Sequence, residues 1–177
     1  MRRRHLIAWS LALSMTALVE PEAADPDNTL IIELATGKVV IEMLPDVAPK
    51  HVERVKELAR EGFYDGVIFH RVIPGFMAQT GDPTGTGTGR SSKPDLPAEF
   101  STEPFQRGTV GMARARDPNS ANSQFFICFE PASHLNGQYT VWGVVIEGME
   151  LVDRIAPGEP PRNPDKMIRV RVGSDVD

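Results

Sequence analysis

Residues 124–129 read QFFICF. Five of the six are apolar, and most favour extended backbone. Such a strand has no polar face to turn to water, so it predicts a strand covered on both faces. The rest of the chain must supply those covers. TLIIELATGKVVIEML (29–44) reads as a hairpin turning at Ala35-Thr36-Gly37-Lys38. GVIFHRVI (66–73) is a strand ended by Pro74-Gly75, and FMAQTG (76–81) is a short extended piece. GTVGMAR (108–114), YTVWGVVI (139–146) and KMIRVRV (166–172) are further strands. Two stretches break the pattern. PKHVERVKELAREG (49–62) is an amphipathic helix with Pro49 at its first position and Gly62 at its C-cap. Its stripe of Val52, Val55, Leu58 and Ala59 is core and carries no function. EGMELVDRI (147–155) is a second, shorter helix. About eight strands and two helices, without βαβ alternation, predict an all-β antiparallel fold. A barrel is the natural way to remove its sheet edges.

The first 24 residues differ from the rest. A basic MRRRH precedes an uncharged, largely apolar run of 14 residues, 6–19. That is short for a membrane span and suits a secretory signal. We expect an export signal over 1–24, with an uncleaved anchor as the alternative, and one domain over 25–177. Removing residues 1–24, with their three arginines and two glutamates, takes the net charge from −5 to −6. No basic field is left to attract nucleic acid. The expected protein is periplasmic, monomeric and free of a membrane span after processing.

Familiar catalytic motifs are missing. GTGTGR (85–90) lacks the spacing and the lysine of a phosphate loop and opens no helix. It reads as part of a flexible loop, 81–100, whose glycines allow close backbone approach. No G-x-S-x-G elbow accompanies His51, His70 or His134. Cys128, the only cysteine, sits in the most apolar strand, where a thiol is usually inert. No metal-ligand spacing is visible, and no metal or cofactor is expected.

Arg71 stands out, as a permanent charge inside FHRVIPGFMAQ (69–79). Strand alternation puts it on one face with Val67 and Phe69, opposite Ile68, His70 and Val72. Two readings stay open. Arg71 is a surface arginine, solvated or paired with a carboxylate. Or it is a fixed donor in a concave apolar pocket, with Gln79 and Gln124 as neutral amides and Phe76, Met77 and Phe126 as floor.

In this order, FHRVIPGFMAQTGDPTGTGTG, GMAR, SANSQFFI and HLNGQYTVWGVV resemble the cyclophilins, the cyclophilin-type peptidyl-prolyl cis-trans isomerases. The similarity covers 29 to about 172, and the leader resembles the bacterial exported type. The resemblance implies an eight-stranded antiparallel barrel capped by two helices, with an outer active groove. It implies a folding enzyme acting on X-Pro bonds of proline-containing polypeptides. Arg71 matches the family's catalytic arginine and His70 its neighbouring histidine. Phe76, Met77 and Gln79 line the same groove. Ala113 and Arg114 match the segment that contacts substrate backbone. Gln124, Phe126 and Leu135 match the glutamine, phenylalanine and leucine of the proline pocket. Three positions depart from the eukaryotic pattern. His134 replaces a tryptophan that contacts cyclosporin, so strong cyclosporin binding is not expected. Tyr139 replaces a pocket histidine, and Arg114 replaces an asparagine. The alternative is a chaperone module that uses the same groove to hold peptides without turnover.

Overall fold

The computed structural model describes residues 24–176. The expected leader over 1–24 therefore lies, except for Ala24, outside the described residues. Eight strands form one antiparallel sheet: β1 (Thr29–Leu34), β2 (Gly37–Met43), β3 (Arg71–Ile73), β4 (Met77–Thr80), β5 (Thr109–Met112), β6 (Phe125–Cys128), β7 (Val141–Glu147) and β8 (Arg169–Val172). Their order is β3-β4-β6-β5-β7-β2-β1-β8. The sheet curls until its ends meet. Gly66 and Phe69 donate backbone hydrogen bonds to Met167 and Asp165, and Met167 donates back to Val67. No regular ladder joins β3 to β8, so these irregular segments complete the closure.

Helix α1 (Pro49–Arg60) and the short α2 (Met149–Val152) complete the fold. α1 has Pro49 in its first turn and buries Val52, Val55, Leu58 and Ala59, as the stripe predicts. Its N-cap, Ala48, offers no side-chain acceptor. Glu99, from the long loop, accepts from the Lys50 and His51 amides at 3.2 and 3.1 Å instead. It also meets His51 Nδ1 at 2.6 Å. Arg54 donates to the carbonyls of Pro94 and Asn122. The helix thus anchors the 81–100 loop and the backbone at Asn122. No helix among the described residues is long and apolar enough to cross a membrane.

The reading of QFFICF resolves into two cores. Phe125 and Ile127 point into the barrel interior, with Trp142, Tyr64, Leu30 and Ile41. Phe125 meets Tyr64 and Trp142 edge-on, with ring centres 5.6 and 5.4 Å apart. Phe126 and Cys128 point outward into a second cluster with Met77, Phe105, Ala132, Leu135 and Val141. Each fully buried large side chain contributes about 2–3 kcal/mol, so both faces of β6 hold the fold together.

One expectation fails locally. Residues 66–70 do not form the regular strand that GVIFHRVI suggests. Val67, Phe69 and Val72 all join the interior core, so the alternation slips between Phe69 and Val72. The cause is the closure just described. The backbone of 66–69 pairs with 165–167 rather than with β4, and it bends into a new register before β3 begins.

Candidate active site

The sheet register builds the site. Arg71 lies opposite Gln79, Gln79 opposite Phe126, Phe126 opposite Gly111, and Gly111 opposite Val141. Side chains at directly paired positions share a face of the sheet. One row across β3, β4, β6, β5 and β7 therefore runs from a guanidinium, past an amide, to an apolar floor. It lies on the outside of the barrel, above the second core.

Gly111 leaves space in that row. A Cβ there would meet Phe105 Cε1 and Phe126 Cζ at 2.6 Å each. The two rings stack over the gap, with centres 5.7 Å apart and planes 22° apart. Gly111→Ala is expected to cost about 1–3 kcal/mol by overpacking and to tilt Phe126. The resemblance implies that Phe126 belongs to a proline pocket, and on that reading KM for a proline peptide should rise several-fold. Steady-state kinetics and a thermal melt check both effects.

A cavity of about 310 Å3 opens over this floor. Arg71, Phe76, Met77, Gln79, Ala113, Arg114, Phe126, His134, Leu135 and Tyr139 line it. Ten of the twelve residues singled out in the sequence thus meet in one place. Gln124 lines an adjoining cavity of about 430 Å3, which shares Gln79, Ala113 and Arg114 as walls. His70 lines neither cavity. It is buried, and among the described residues neither ring nitrogen has a hydrogen-bond partner. Burial pushes its imidazole pKa down, with the Asp82 carboxylate acting the other way. Above pH 7 it is therefore neutral.

Arg71 has both characters left open by its sequence. Its side chain is 41% exposed and pairs with Glu159, Nε to Oε1 at 2.6 Å. It also borders the apolar cavity. One Nη1 hydrogen reaches Gln79 Oε1 at 3.4 Å. Among the described residues, two of arginine's five N–H groups are thereby committed and three remain. Gln79 donates to Gln124 Oε1 at 2.9 Å. Gln124 donates onward to the carbonyls of Gly87 and Gly89 at 3.1 and 2.8 Å. Each amide orientation is fixed by its neighbour along this relay.

The three departures sit around the rim. His134 lies beside Phe76, with ring centres 5.4 Å apart. Tyr139 meets Phe126 edge-on at 5.9 Å. The Arg114 guanidinium covers the Tyr139 ring at 4.4 Å and donates to the carbonyls of Gln138 and Ala115. An arginine where the resemblance has asparagine thus becomes a wall between the two cavities.

A model of the family described as cyclophilin type peptidyl-prolyl cis-trans isomerase/CLD matches residues 29–172. The chain belongs to the cyclophilin family. A probable peptidyl-prolyl cis-trans isomerase of Brucella suis biovar 1 (strain 1330) is 55% identical over 182 residues, covering 94% of this chain and 93% of that protein. Peptidyl-prolyl cis-trans isomerase B of Bacillus subtilis (strain 168) is 44% identical over 127 residues, covering 70% of this chain and 86% of the relative. Among solved structures, a cyclophilin from Hirschia baltica superposes with a TM-score of 0.81 at 30% identity, covering 87% of this chain and 77% of that one. A cyclophilin type peptidyl-prolyl cis-trans isomerase of Cryptosporidium parvum, solved in the presence of the dipeptide Ala-Pro, gives 0.76 at 28% identity, covering 81% and 98%. The eight antiparallel strands and two helices of this chain are the cyclophilin fold.

Sequence reading missed two side chains around the groove. Asp82 organises the 82–90 loop, which is pinned by hydrogen bonds rather than left free as the glycine content suggests. Its signal was present: a lone carboxylate just before alternating Thr and Gly is a common turn-capping pattern. Glu159 had no local signal. GEPPRNP reads only as a connector, and the Arg71 contact spans 88 positions.

Burial pushes the Cys128 thiol up to about 12. It is inert at neutral pH, as its strand implies.

Proposed function

We propose that this cyclophilin accelerates rotation about X-Pro bonds in polypeptides, with Arg71 as the catalytic residue. The observation that carries the reading is an arginine lining a cavity with an apolar floor, with three donors uncommitted among the described residues. Family membership and the names of its relatives support the activity.

The chemistry needs no bond cleavage. Rotation about a peptide bond must cross roughly 18–20 kcal/mol, because the amide loses resonance at the midpoint. There the proline nitrogen becomes pyramidal and regains a lone pair. A donor aimed at that nitrogen binds the twisted state better than either planar isomer, and this difference is the catalysis. Phe76, Met77, Phe126 and Leu135 grip the proline ring and keep water off, which strengthens the Arg71 contact. A rate gain of about 10⁵ requires roughly 7 kcal/mol. One preorganised donor supplies about 3–4 kcal/mol. Holding the backbone on one side, along Ala113 and Arg114, while the other side turns, supplies the rest.

Neither Arg71 nor the apolar floor titrates near neutrality. Arginine stays charged, and His70 is held neutral above pH 7 by burial. kcat/KM is therefore expected to be nearly flat between about pH 7 and 9. A steep bell in that window, measured in a chymotrypsin-coupled proline-peptide assay, would sink Arg71 as the central group.

The basic, then apolar, N-terminus supports export to the periplasm, with residues 1–24 removed. Mass spectrometry of the mature protein tests this. An intact N-terminus starting at Met1 in the exported fraction would overturn removal.

A further inference from the structure

The connector that reads as filler in the sequence is fixed to β3. Gly158 donates to the Val72 carbonyl at 2.9 Å, and Val72 donates to the Gly158 carbonyl at 2.8 Å. This is an antiparallel bridge on the outer edge of β3. In that register the next pair is Arg71 opposite Glu159. The turn that follows requires glycine. Gly158 has φ +145°, and a Cβ there would overlap the backbone of Pro160 and Pro161. Backbone geometry therefore delivers Glu159 to Arg71, rather than a chance meeting of long side chains.

Among the described residues, Glu159 is the one ion-pair partner of Arg71. It takes the Nε edge, while Gln79 takes an Nη1 hydrogen. It does not line the proline cavity. Two opposite effects follow. The carboxylate subtracts from the positive field that the substrate meets. It also fixes the plane of a long, half-exposed side chain that would otherwise sample many rotamers. The field effect is weak, because Glu159 is 55% exposed and water screens it. The orientation effect is strong, because a hydrogen bond fails steeply with angle. A misplacement of about 1 Å can cost 100-fold in rate.

We propose that Glu159 is a positioning residue for Arg71, holding its Nε edge so that the remaining donors face the proline. The proposal rests on the reading of Arg71 as catalytic, and the test separates the two.

Arg71→Ala, Glu159→Ala and Glu159→Gln are compared in the coupled peptide assay, with kcat and KM resolved. Nitrogen-15 NMR of the Arg71 Nε–H, assigned with Arg71→Lys, is recorded alongside. Glu159→Ala is expected to lower kcat about tenfold and leave KM within about twofold. Glu159→Gln should recover most of the rate, because its amide oxygen still accepts the Nε–H. The Nε–H signal should be protected from exchange in the native protein and in Glu159→Gln, and lost in Glu159→Ala. Native or raised kcat in Glu159→Ala would overturn the proposal. So would an effect confined to KM, which would put Glu159 on the substrate. Equal loss in both Glu159 variants would make charge, not orientation, the cause and would overturn it too. Full activity in Arg71→Ala removes the catalytic reading itself, even if the Nε–H signal of the native protein reports the ion pair intact.

Discussion

Arg71→Ala is expected to lower kcat/KM for a proline peptide about 100-fold or more and to leave the fold intact. The size follows from the donor's task. A preorganised donor lost from a transition state typically costs about 3–4 kcal/mol. The loss should fall mainly on kcat, since the planar isomers in the ground state offer the guanidinium no pyramidal nitrogen. Stability should barely change. Arg71 stands on the outer face of β3, 41% exposed, and its removal leaves Glu159 in solvent rather than buried. An exposed pair of this kind contributes about 0–1 kcal/mol. At this chain length that corresponds to a fall in Tm of at most about 4 °C. Arg71→Lys should rescue only in part, because an ammonium lacks the planar fork that reaches Glu159, Gln79 and the substrate together. Native activity in Arg71→Ala, with a native melt, would remove the arginine mechanism and leave the apolar groove as a binding surface.

Much of the fold was legible because its rules are local. QFFICF could not be half-exposed, and it is covered by the interior on one side and by the groove floor on the other. Pro49 and the Val52-Val55-Leu58-Ala59 stripe placed α1 within a turn. Phe76, Met77, Gln79, Gln124 and Phe126 were open as partners of Arg71 in a pocket, and only the family resemblance gathered them into one groove. What was not legible depends on distant pairing. The slip at 66–70 arises because 165–167 claims that backbone, and nothing in GVIFHRVI announces it. α2 is four residues long, where EGMELVDRI suggests nine. Gly148 at its start has φ +80°, and after Asp153 the bonds tighten to i−3 turns at Arg154 and Ile155. Glu159 reaches Arg71 only through the bridge between Gly158 and Val72. His70 shows the limit of carrying a role by position. It matches the family's histidine, yet its ring is buried away from the cavity that holds the other residues.

Asp82→Ala should be the most destabilising single change near the site that leaves both cores untouched. Asp82 is buried and accepts from the Thr84 amide and hydroxyl at 2.7 Å each, from the Gly87 amide at 2.6 Å and from the Gly89 amide at 3.0 Å. Burial opposes its charge, but the hydrogen bonds from Thr84, Gly89 and Gly87 outweigh burial and pull its pKa to about 2. Removing the carboxylate strands several donors at once. The expected cost is about 3 kcal/mol, or a fall in Tm of roughly 6–12 °C for a domain of this size. The pH dependence has a definite sign. A depressed carboxylate pKa adds stability above its unfolded value of 3.8, and that stability is lost as pH falls toward 2. A shift of this size is worth about 2 kcal/mol. Native protein and Asp82→Ala should therefore converge in Tm between pH 4 and 2, and differ most near neutrality. Asp82→Asn keeps one acceptor oxygen and should fall between them, without the acid-dependent loss. The change should also reach the chemistry. The 82–90 loop holds Gln124 through the carbonyls of Gly87 and Gly89, Gln124 orients Gln79, and Gln79 meets Arg71. Releasing the loop frees the first link of that relay, so kcat should fall several-fold at temperatures where the variant is fully folded. Scanning calorimetry across pH 2–8, with kinetics at 10 °C, reads both effects. A variant that melts like the native protein at pH 7 would show that the loop holds its shape without its carboxylate. The glycines would then act as a flexible strap after all.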